Sequence, residues 1–224
     1  MMPHALRLFA VATLLLLSAC FKSEAEQAID RVKTGYLDHD KSAPVGKILG
    51  GYSFFARTEW EMFETKQGKK IVEFRGYSPL ADNLPQRIAA IRQESAAGIA
   101  RSGGTDIFGM MGATMTLDRL AKPDFAETAA ALELTTVFRA QFALLPEERF
   151  EVSYVGQGLT TKPNAWPQPD GSFGPASDTV EQILAKAERG NRELLDRLYA
   201  NRILPFPSEA LILVNEYGRL KSGS

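Results

Sequence analysis

The chain has 224 residues, 45% hydrophobic and 24% charged, and its 26 Lys and Arg against 27 Asp and Glu leave a formal charge of -1. That balance fits a globular protein of one domain with extensions and excludes wholesale disorder and collagen-like repeats. Without a basic excess to hold a phosphate backbone, nucleic acid is not expected as a partner. A single cysteine excludes an internal disulfide framework.

The first 20 residues say where the protein resides. A short start carrying Arg7 is followed by ten residues, 8–17, that read Leu-Phe-Ala-Val-Ala-Thr-Leu-Leu-Leu-Leu. A helix needs about 20 apolar residues to cross a bilayer, so this run is too short to span and reads as a secretory signal. It ends in Leu17-Ser18-Ala19-Cys20, which resembles the bacterial lipobox. That resemblance implies cleavage after residue 19, with Cys20 lipidated as the new N-terminus, and Phe21 in place of Asp implies sorting to the outer membrane. One acyl chain binds a bilayer only marginally and two or more hold firmly. The expected partner of Cys20 is therefore the membrane itself, from the periplasmic side.

The same cut narrows the chemistry. His4 leaves with the signal, and His39 is the remaining histidine. With the one thiol capped by lipid, Cys nucleophiles and multi-His metal sites are removed. Asp38-His39-Asp40 reads as a solvated turn rather than a metal site. No catalytic residue, metal or cofactor is expected.

Along the chain, Ala25, Ala28, Ile29 and Val32 recur at helical spacing within 22–33, and Gly35 closes that helix. A short helix follows, with Ser42 as its cap, Pro44 in its first turn and Gly50-Gly51 at its end. Residues 58–65 and 70–77 read as strands about a Lys66-Gln67-Gly68-Lys69 turn. Their alternation places Glu59 and Glu61 on a solvated face and Trp60 and Met62 on a core face. Between 78 and 134 lies an insert. It holds a helix capped by Asn83 with Leu84, Ile88, Ile91 and Ile99 in its stripe, then a break at Ser102-Gly103-Gly104. A Gly- and Met-rich stretch follows with Met110, Met111 and Met115, and then a helix with Asp124 and Glu127 as its capping box. The Met cluster reads as filler for a helical core, with a flexible apolar contact surface as the competing reading.

A second hairpin pairs 135–145 with a strand from Phe150 through Val152 and Tyr154. Trp60, Phe74, Phe138, Phe142, Phe150 and Tyr154 are expected on one face of a four-stranded antiparallel sheet covered by helices, an α+β fold. The four-proline stretch 161–175 reads as an extended surface linker carrying Trp166. Asp178 and Glu181 suggest the cap of one long helix running to about Asn201, with Gly190 inside it. Pro205 and Pro207 stop that helix, and 210–214 is too short to assign. Gly156-Gln157-Gly158 lacks the third glycine of a dinucleotide fingerprint. The organisation expected is a signal over 1–19, a sheet domain over 20–160, and a linker with C-terminal helices over 161–224.

Residues 41–76, KSAPVGKILGGYSFFARTEWEMFETKQGKKIVEFRG, resemble a segment of uncharacterised bacterial envelope lipoproteins. In these a Val-Gly-x-x-Leu helix and a Tyr-x-x-Phe step lead to a Trp-bearing strand and a Gly turn. The Phe138-Phe142 and Phe150-Tyr154 strands resemble the closing hairpin of that family. A looser likeness is to small outer-membrane lipoproteins of the SmpA/OmlA type, which place helices on an antiparallel sheet and assist assembly machinery. The insert and the C-terminal helices lie outside both resemblances. They imply a lipid-anchored envelope protein with a structural or adaptor role and an unknown protein partner. Two other readings stand beside it. One is a binder of a lipid or other apolar molecule on the concave sheet face and the Met-rich insert. The other is a hydrolase using two carboxylates about 5–9 Å apart.

Overall fold

The computed structural model describes residues 22–38, 40–102 and 107–223. The fold is α+β, and five antiparallel strands form one sheet in the order β1-β2-β3-β4-β7. The strands are β1 (Arg57–Glu64), β2 (Lys70–Pro79), β3 (Thr135–Leu144), β4 (Phe150–Thr160) and the two-residue edge β7 (Arg189–Gly190), while β5 (Trp166–Pro167) and β6 (Phe173–Gly174) make a separate small ribbon. The described helices are α1 (Glu24–Thr34), α2 (Val45–Gly50), α3 (Leu84–Ser102), α4 (Ile107–Leu120), α5 (Pro123–Ala131), α6 (Asp178–Ala187), α7 (Glu193–Tyr199) and α8 (Glu209–Ser222).

Both expected hairpins form. Trp60 lies opposite Phe74 and Met62 opposite Val72, and Gly68 takes the positive φ of 77° that its turn requires. The insert α3–α5 leaves after β2 and returns into β3, which pairs directly with β2. The inner sheet face is closed by α1, α2 and α7, whose Val32, Leu49, Leu194 and Leu198 meet Phe74, Phe138 and Phe142. Trp60 stacks on Phe142 at 6.3 Å between ring centroids, and Phe150 meets Phe142 edge-on at 5.8 Å. A second core sits at the far end of the sheet. There α5, α6 and α8 gather Leu80, Leu134 and Leu159 around Trp166 and Tyr217.

Tyr154 departs from the expected face. The β3–β4 register shifts between Gln141 and Phe142, so that Tyr154 pairs with Gln141 and Val152 with Phe142. One extra residue in a strand reverses its parity, because side chains alternate with period two. Val155 takes the inner place and is buried in the core, while Tyr154 lies on the outer face. Gly156 makes that placement possible. A Cβ there would stand 2.2 Å from the Tyr154 hydroxyl oxygen and 2.6 Å from the Arg189 carbonyl. The Gly156-Gln157-Gly158 stretch is therefore strand, not a phosphate loop.

The long C-terminal helix is broken. It divides into α6 and α7, and Arg189–Gly190 pair with Gln157 and Gly156 as a sheet edge. A pairing made with β4, more than 30 residues away in sequence, overrides the helical period of the segment. Several caps also move. Ser177 rather than Asp178 caps α6, accepting from the Val180 amide. Pro123 opens α5 at N1 without a side-chain cap, so Asp124 sits in the first turn. Pro44 itself holds the N-cap place of α2 in place of Ser42. The Asn83 side-chain amide turns back to Ser78 Oγ and the Pro79 carbonyl, both at 3.1 Å. The expected surface linker also proves partly internal, since Trp166 is fully buried against Tyr217. Residues 210–214 are helical, within α8.

Candidate functional site

Cys20, His4 and His39 lie outside the described residues. The described chain begins at Lys22, two residues after Cys20 in sequence. α1 begins four residues after it, closed by a capping box in which Ser23 and Glu26 bond each other's backbone amides. Glu24 pairs with Lys70 at the start of β2, which fastens the first turn of α1 to the β1–β2 turn. The insert springs from the other end of β2, after Pro79. Ten strand residues at about 3.4 Å each separate the two ends by roughly 30 Å.

Met111 and Met115 of the Met cluster do not fill a core. Met111 and Met115, one turn apart on α4, are 62% and 57% exposed. Side chains on one helix face repeat every three or four residues, so the pair presents a single apolar face. α4 packs mainly on α3 and, near its C-terminal end, on α5. Only Leu120 of its described side chains is buried, in the second core. The side chains of Ile107, Phe108 and Met110 lie outside the described set.

Glu59 and Glu61 of β1 stand on the outer face, as their alternation predicts, and Glu61 meets Glu73 of β2 across a shared Arg75. Glu59 accepts the Tyr77 hydroxyl at 2.7 Å, and Glu61 accepts Arg75 at 2.6 Å. Arg75 also pairs at 2.5 Å with Glu73, a buried carboxylate that takes a 2.6 Å bond from Gln141 Nε2. Glu64 is exposed at the end of the strand. Among the described residues no group of three His, Cys, Asp or Glu could hold a metal, and Asp40 closes its turn by accepting the Ser42 amide at 2.8 Å.

The inner face of the sheet is covered by its own aromatics and by the side chains of α1, α2 and α7. An open groove of about 650 Å³ lies elsewhere, between α3 and the segment that follows α7. Phe54, Ala90 and Ile203 form its walls, and Glu94, Arg197 and Arg202 line it as well. Ala90, Glu94, Arg197 and Ile203 also line a smaller, deeper cavity of about 20 Å³ that reaches Arg87. That volume holds about one water.

Arg87 is the unusual residue of this region. It occupies the first full turn of α3 and is 1% exposed. Nη2 donates to Ser78 Oγ at 3.2 Å and Thr136 Oγ1 at 3.4 Å, and Nη1 to the Leu204 carbonyl at 3.4 Å. All three acceptors are neutral and the bonds are long. Nε has no hydrogen-bond partner, and no described carboxylate pairs with the guanidinium. Burial pushes its pKa down to about 10, which leaves it charged at neutral pH. Burying an ion without its counter-ion costs several kcal/mol. Above it, Arg197 Nη1 donates to Glu94 Oε1 at 2.5 Å and to the Ile203 carbonyl at 3.1 Å. Sequence reasoning passed over Arg87. Its signal was positional, since it stands at i+3 within the apolar series Leu84, Ile88 and Ile91, where a solvated cation has no place.

Tyr52 clips the backbone of the segment after α7. Its hydroxyl donates to the Arg202 carbonyl at 2.9 Å and accepts the Leu204 amide at 3.0 Å. Burial raises its pKa to about 12. No helix among the described residues is long and apolar enough to cross a membrane. The chain matches no protein-family profile, no curated protein and no solved structure.

Proposed function

We propose that the protein is a bacterial envelope lipoprotein, held through lipid on Cys20 to the periplasmic face of the outer membrane, where it serves as a non-enzymatic adaptor. The observation that carries the adaptor role is the exposed Met111–Met115 face of α4. Large apolar side chains clustered in water mark contact surfaces, and methionine adapts its shape to a partner. α1 begins beside the start of β2, where Glu24 pairs with Lys70, and the insert that carries the Met face leaves β2 at its other end, after Pro79; this separation supports a protein partner over the bilayer.

The test is site-specific photo-crosslinking in intact cells of the native host. A photoreactive side chain placed at Met111 or at Met115 should yield one discrete protein adduct. The same group at Glu151, exposed on β4, should not. Met111→Ser with Met115→Ser should weaken partner capture while changing stability by no more than about 0.5 kcal/mol, as exposed substitutions do. Equal labelling from Glu151, or no adduct from α4, contradicts the adaptor reading.

A further inference from the structure

We infer that the groove between α3 and the segment after α7 binds a small acidic amphiphile, whose carboxylate or phosphate head reaches Arg87 and whose apolar chain lies along Phe54, Ala90 and Ile203. This site is separate from the Met face of α4 and does not depend on the anchor at Cys20.

Four observations converge on it. The first is the buried Arg87 guanidinium, charged, without a carboxylate, and with Nε carrying no hydrogen bond. Guanidinium groups recognise carboxylate and phosphate oxygens through paired N–H donors. The second is continuity. The deep cavity at Arg87 and the wider groove share four lining residues, so a head can sit inside while a chain lies outside. The third is charge. Arg87, Arg197 and Arg202 face this space against Glu94, a local cationic excess in a chain whose formal charge is -1. The fourth is the mouth. Arg197 is held by Glu94, and both line the deep cavity. An incoming anion that replaces Glu94 on Arg197 opens the way to Arg87 and leaves its head between the two guanidinium groups. The deep cavity holds about one water in its present shape, so this exchange is required for entry.

The account makes opposite forecasts for stability and binding at Arg87. Replacing a buried charge that lacks a counter-ion by an apolar side chain of similar volume is often neutral or stabilising. Arg87→Met should therefore melt at the same temperature as the parent protein or higher, and should bind the acid at least tenfold more weakly, the share of a charge-assisted hydrogen bond. Arg197→Gln, at the partly exposed mouth, should weaken binding severalfold. Glu94→Gln removes the competing carboxylate and should strengthen it severalfold.

The experiment is titration calorimetry of the full chain in detergent, with empty micelles as the blank. The probes are hexanoate, hexyl phosphate, hexanol and inorganic phosphate. Saturable binding of hexanoate or hexyl phosphate that Arg87→Met abolishes supports the site, and the stronger of the two identifies the head. Hexanol binding as tightly as the acids overturns the role of the guanidinium. Inorganic phosphate binding as tightly as hexyl phosphate overturns the role of the chain. An Arg87→Met protein that melts lower and binds unchanged makes Arg87 a structural residue and overturns the proposal, as does the absence of binding by every probe. Weaker binding in Glu94→Gln contradicts the exchange at the mouth.

Discussion

Tyr52 shows how much a single hydroxyl holds in this molecule. Its donor and acceptor contacts both fall on the 202–204 backbone, which has no regular partner strand or helix. Tyr52→Phe leaves the Leu204 amide without that acceptor, and an unsatisfied buried group costs about 1–3 kcal/mol. The pH dependence follows from the proton that burial retains. The folded pKa, about 12, lies above the ordinary tyrosine value near 10. The stability from this group is whole below about pH 10 and is lost as the pH rises toward 12. Tyr199, also raised to about 12 mainly by burial, acts in the same window. Denaturant melts should therefore show stability falling above pH 10, with a shallower fall in Tyr52→Phe. An alkaline limb unchanged by the substitution would mean that the Tyr52 hydroxyl is already exposed. At this scale the sequence was least informative. Arg87, Tyr52 and Tyr154 owe their settings to residues far off in the chain, which local pattern does not carry.

Elements were legible where their causes are local. The two hairpins follow from period-two alternation, and the first also from a glycine that takes positive φ at its turn. Reading failed where a distant partner decided the outcome. The bulge in β4 moves Tyr154 outward, the β4 edge captures Arg189–Gly190 out of a helical pattern, and Tyr217 draws Trp166 inward from a proline-rich stretch. The Met cluster failed for a different reason, because apolar composition alone does not say whether a helix has a covering layer. The sheet also tightens at one strand position that alternation does not reveal. Gly76 lies opposite Phe138, and the Phe55 ring rests on it so closely that a Cβ would stand 2.4 Å from its carbons. Gly76→Ala should cost about 1–3 kcal/mol, the usual penalty of overpacking. Much of that cost should vanish when Gly76→Ala is made in a Phe55→Ala background, since contacting residues couple. Equal costs in both backgrounds, read from denaturant midpoints, would place the Phe55 ring elsewhere.

At the scale of the whole molecule, two cores divide the labour. The first joins α1, α2 and α7 to the inner face of the sheet. The second joins α5, α6 and α8 around Leu80, Leu134 and Leu159, where the insert leaves and rejoins the sheet. The outer sheet face holds its carboxylates in ion pairs and hydrogen bonds, so Glu59, Glu61 and Glu73 are occupied by Arg57, Arg75, Tyr77 and Gln141. The function proposed therefore rests on attachment and presentation, and attachment is its first condition. The most direct test is the intact mass of the protein extracted from membranes of its native host, compared with Cys20→Ala. The account predicts a chain that begins at Cys20 and carries added diacylglyceryl and acyl mass, with Cys20→Ala released from the membrane or left unprocessed. A soluble protein with an unmodified Cys20 thiol, recovered from those cells, would contradict it.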